Sequence, residues 1–113
     1  MSDITIPDRQ RSLPENPAEI SNLSGVLSEN QNRVAVTVEL TNGLTHPDLE
    51  LTLYDADHSS LSKSLILENI GPQLVFTMHI RQKSVKFPLQ FHCALSYLDD
   101  KIFSEKEVVV ENK

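Results

Sequence analysis

The chain has no tryptophan, a single cysteine, and only three glycines among its 113 residues. One cysteine, Cys93, excludes an internal disulfide and fits a reducing compartment. The missing tryptophan leaves Tyr54 and Tyr97 as the only amphipathic aromatic platforms of the kind sugar sites use, which counts against carbohydrate recognition. No uninterrupted apolar run approaches the length needed to cross a bilayer, so no membrane span is expected. The first ten residues lack a charged segment followed by an apolar one, so no secretory leader is read there and a cytoplasmic address is expected. Basic residues are also scarce. Ten of them face sixteen acidic residues, for a formal charge of −6. That balance repels a phosphate backbone, and nucleic acid is not an expected partner. It also keeps a small domain soluble.

What is present is alternation. In Arg33-Val34-Ala35-Val36-Thr37-Val38-Glu39-Leu40-Thr41 the valines and Leu40 fall on even positions, the period of a strand with one wet and one apolar face. Asn42-Gly43 is a turn signal, and His46-Pro47 lengthens the connection to a second strand, Leu49–Tyr54. Leu61–Leu67 carries Ser62, Lys63 and Ser64 and reads as an edge strand. Leu74–Arg81 and Phe87–Tyr97 alternate most cleanly and read as the core strands. Ile102–Glu111 closes the series, with Val108-Val109-Val110 breaking the alternation through burial on both faces or a bulge.

Upstream, Asn16-Pro17-Ala18-Glu19 followed by Gly25 has the spacing of a helix cap, a first-turn proline and a terminating glycine. A helical turn is favoured over a first strand at Ile20–Leu27. Residues 1–15 read as a flexible tail, whose Ile4, Ile6 and Leu13 suit docking on a sheet edge. The expected fold is thus an all-β, antiparallel β-sandwich of six to seven strands over residues 16–113. The segment His92-Cys93-Ala94-Leu95-Ser96-Tyr97, with the turn and strand after it, resembles in architecture the final hairpin of immunoglobulin-like or fibronectin type III sandwiches. The likeness covers about two-thirds of the chain and lacks three marks: a second cysteine, a central tryptophan, and a tyrosine where Phe91 stands.

No reaction centre is legible. Asp55-Ala56-Asp57-His58 offers too few oxygens for a calcium loop, and its residue types equally suit turn capping. His46, His58, His79 and His92 lack zinc spacing, although His79 and His92 share polar parity on strands read as neighbours. Ser59 and Ser60 beside His58 and Asp55 do not form a nucleophile elbow, and Cys93 sits on apolar parity, where a thiol is a core residue with a raised pKa. No metal, cofactor or enzymatic activity is expected. The sequence reading is a non-catalytic module that binds a protein partner or a second copy of itself. Its candidate contacts are Leu65 and Ile66 on the edge strand and the basic tip Arg81, Lys83 and Lys86. The alternative is an accessory domain holding calcium or carbohydrate through the 55–60 and 99–101 loops.

Overall fold

The computed structural model describes residues 16–42, 45–69, 71–97 and 102–112. The strands are β1 (Glu19–Leu27), β2 (Arg33–Thr41), β3 (Asp48–Tyr54), β4 (Ser60–Ile66), β5 (Gln73–His79), β6 (Gln90–Ser96), β7 (Ile102–Val109) and β8 (Glu111–Asn112). They form two four-stranded sheets, ordered β5-β2-β1-β8 and β4-β3-β6-β7. The alternation explains the layering. Val34, Val36, Val38 and Leu40 of β2 turn inward, as do Leu49, Leu51 and Leu53 of β3 and Phe91, Cys93 and Leu95 of β6, and all are buried. The two apolar faces pack on each other to make one core, which is the β-sandwich the sequence implies.

Several expectations need correction. The Asn16–Gly25 segment is not helical: Glu19–Leu27 pairs antiparallel with β2, from Glu19 opposite Thr41 to Leu27 opposite Val34. Ala18, Ile20, Leu23 and Leu27 bury against the core, a gain that outweighs local capping chemistry. Gly25 does not end an element. A Cβ placed on it would lie 3.3 Å from Val34 Cγ1 and 3.4 Å from Val110 Cγ2, so the glycine permits close approach of β1 to the C-terminal segment.

The sandwich is also not wholly antiparallel. β7 pairs antiparallel with β6, then Val110 turns inward, and β8 pairs parallel with β1 at Val26–Glu111 and Leu27–Asn112. The three valines alternate after all: Val108 is half-buried, Val109 exposed and Val110 buried. The Phe87–Tyr97 strand starts only at Gln90. Leu74–Arg81 is not a core strand. Its strand is β5, an edge, in which only Met78 is fully buried, with Ile80 buried just past its end.

The registers give the sandwich two poles. One gathers Glu19, Thr41, Asp48, Ser96 and Gln73, and the other gathers Leu27, Arg33, Tyr54, Gln90 and His79. Along one flank β1 packs against β7, and the Ile20 N–H donates to Ser104 Oγ at 3.1 Å. The opposite flank, between β4 and β5, is more open, and the Gln82 side-chain N–H there donates to the Leu61 carbonyl at 3.4 Å.

Candidate functional site

The basic tip between β5 and β6 is a crossover from one sheet to the other rather than a hairpin. Its three candidate cations differ in state. Lys86 is engaged within the chain: its Nζ lies 3.1 Å from Asp57 Oδ2 and its carbonyl accepts the Ala56 N–H at 2.8 Å. Arg81 and Lys83 are exposed, and Val85, between Lys83 and Lys86, is partly buried and packs against the core.

The neighbouring Asp55–Ser60 loop has its own occupation. Asp55 is buried, and its Oδ1 accepts the N–H groups of Asp57 at 2.9 Å and Ser59 at 3.0 Å, which is local turn capping. Asp99, Asp100 and Lys101 lie outside the described residues. Their flanks, Ser96 and Ile102, pair at the pole opposite Asp55, about seven residues and roughly 20 Å away at the rise of a strand. The anchors of the two loops therefore do not converge on one site. Tyr97 is buried, so it offers no sugar platform.

His79 and His92 are not neighbours either, since β5 and β6 belong to different sheets. His92 Nε2 lies 3.0 Å from Glu105 Oε1, and with Tyr54, His58, Lys106 and Glu107 it lines an open groove on the outer face of the second sheet. Among the described residues, no three histidine, cysteine or carboxylate side chains converge to hold a metal ion. Cys93 is fully buried and desolvation pushes its thiol up to about 12, leaving a neutral core group.

Exposed apolar side chains occur at several places, Val26, Phe87, Ile102 and Val109 among them, and the most exposed lie on the open flank, where Leu65 is 62% exposed, Leu67 63% and Val75 68%. Ile66, Leu74 and Phe76 are half-buried against the core at the same mouth. Leu65 is thus where the sequence places it, on an outward edge, whereas Ile66 faces the core side. Strand β5 is the part that sequence reasoning missed as an edge. The usable signal was present in Gln73–His79, a seven-residue strand with no lysine, arginine, acid or proline.

Comparison with known proteins adds fold-level support only. No family model matches the chain, and none of the curated proteins does. Among solved structures, β-glucuronidase from Ruminococcus gnavus superposes with a TM-score of 0.52 at 14% identity. The superposition covers 88% of this chain and 16% of that one, so the likeness is to a β-sandwich portion of a much longer protein. No helix among the described residues is long and apolar enough to cross a membrane.

Proposed function

We propose that this domain is a non-catalytic interaction or assembly module that binds through a sheet edge on its open flank. The observation that carries the reading is the half-buried Ile66, Leu74 and Phe76 at the mouth between the two edge strands, with Leu65 and Val75 exposed on the outer face of each. An edge strand presents backbone donors and acceptors as well as apolar side chains, the two elements of recognition by strand addition. Arg81 and Lys83 form a secondary contact on the adjoining pole, suited to an acidic segment of the bound chain.

A cytoplasmic setting belongs to the same proposal and is supported by the lone, buried thiol. So does an immunoglobulin-like classification. The order β4-β3-β6-β7 in one sheet and β5-β2-β1 in the other supports it, because that arrangement leaves the first two strands and the fifth together.

The test uses the full chain as wild type, Leu65→Lys and Val75→Lys, with capture from extracts of the source cells and light scattering on the recovered species. The expected result is a stoichiometric complex, with itself or with another chain, that at least one substitution dissolves while the unfolding midpoint stays in place. A solitary monomer, or a complex indifferent to both substitutions, overturns the reading.

A further inference from the structure

Resting on the edge-binding reading, we infer that the adhesive edge is β5 rather than β4, and that its occupant is β5 of a second copy, paired antiparallel about Phe76. The argument begins with how each edge is protected. Strand β4 carries Lys63, whose Nζ sits 3.2 Å from Glu50, a register shift opposite Leu53 and Tyr54, and a carbonyl at Leu61 accepting the Gln82 side-chain N–H at 3.4 Å. Strand β7 carries Glu105, Lys106 and Glu107, a register shift near Ser96, and β1 along its flank. Strand β8 has two residues. Charges, bulges and shortness are the devices by which sheets discourage edge pairing.

Strand β5 has none of them. Its sequence, Gln73-Leu74-Val75-Phe76-Thr77-Met78-His79, pairs with β2 without a register shift from Glu39–Gln73 to Arg33–His79. Among the described residues no hydrogen bond reaches its far side, where half of its backbone groups point. It is an unbulged, uncharged, β-prone edge, the kind on which another chain can add a strand.

The occupant follows from self-complementarity. A two-fold axis through Phe76 overlaps all seven residues and sets Val75 opposite Thr77 of the second copy, Leu74 opposite Met78, and Gln73 opposite His79. Outward residues meet outward residues: Val75 with Thr77, both exposed, and Gln73 with His79. On the core side Phe76 meets Phe76 and Leu74 meets Met78, which covers the half-buried apolar mouth. No like charges are opposed. The product is a continuous sheet of eight strands, four from each copy. A contact of this kind falls in the small class of interfaces, below about 1,200 Å² in total, so the dimer is concentration-dependent.

The test uses purified full-length protein. Sedimentation from micromolar to near-millimolar concentration is expected to show a monomer–dimer equilibrium. Val75→Lys weakens it by about tenfold or more, and Leu65→Lys leaves it unchanged. Val75→Lys combined with Thr77→Glu restores it, because the register places each new lysine opposite a new glutamate. Oxidation of a mixture of Val75→Cys and Thr77→Cys proteins traps a disulfide-linked heterodimer, whereas either alone does not, and buried Cys93 takes no part. A monomer at every concentration overturns the inference while a complex with another chain that dissolves on Val75→Lys or Leu65→Lys leaves the edge reading standing. A dimer lost on Leu65→Lys and kept on Val75→Lys assigns the interface to β4 and overturns the choice of strand.

Discussion

The Tyr97 hydroxyl accepts the backbone N–H of Ala18 at 2.8 Å, joining residues 79 positions apart at one pole of the sandwich. The same hydroxyl bonds Thr45 Oγ1. Both Tyr97 and Ala18 are buried, and the Tyr97 ring meets Phe103 edge-on with centroids 5.4 Å apart. One side chain therefore fixes the entry to β1, the β2–β3 connection and the end of β6. Tyr97→Phe keeps the ring and strands the Ala18 N–H in an apolar setting. A loss of about 1–3 kcal/mol is expected, read from urea unfolding, with Thr45→Ala costing less because its site is partly open to water.

Cys93 supplies a pH prediction. Its folded-state value is raised from 9.0 to about 12 by burial, so the native state holds its thiol proton where the unfolded chain has released it. The contribution of this group is fully present below pH 9 and is lost as pH rises from there towards 12, at up to about 1.4 kcal/mol per pH unit. Cys93→Ala removes that slope, as followed by denaturant titrations between pH 8 and 11. Native protein also resists thiol reagents at pH 8 and reacts on unfolding.

Truncation tests what the first strand contributes. A chain starting at Ser28 lacks the buried Ala18, Ile20, Leu23 and Leu27 and leaves β2 without its partner. Loss of even one such side chain costs about 2–5 kcal/mol for the larger aliphatics, so this chain shows no cooperative thermal transition. Circular dichroism on heating, beside the full-length protein, checks this.

Leu65 and Ile66 are adjacent in sequence and opposite in consequence. Leu65→Lys replaces an outward, largely exposed side chain and changes stability by no more than about 0.5 kcal/mol. Ile66→Lys turns an ammonium towards the core side and costs about 2 kcal/mol or more. Chemical denaturation of the two variants side by side checks the contrast.

The strands from Arg33 onward are legible where apolar residues recur on a period of two, and the β2, β3 and β6 patterns return as buried faces. Residues 16–25 misled because Pro17, Glu19 and Gly25 satisfy the local rules for a helix, while the deciding contacts, Gly25 with Val34 and Val110, lie far away in the sequence. Sheet membership was equally hidden. Periodicity reports which side chains share a face and not which strands are neighbours, so it carries no sign that His79 and His92 lie in different sheets or that β5 is an edge. Edge character at Lys63 was visible because a charge marks it; at β5 the absence of any charge was the mark.

The parallel rungs Val26–Glu111 and Leu27–Asn112 have a mechanical meaning. The chain enters β1 at one pole and leaves β8 at the other, and the first and last strands run in the same direction. Tension applied along the backbone therefore slides these two strands past each other and strains their rungs together, instead of peeling them apart one by one. Once those rungs give, the load passes to the place where the chain changes sheets, where the Val110 N–H is held by the Leu89 carbonyl at 2.9 Å.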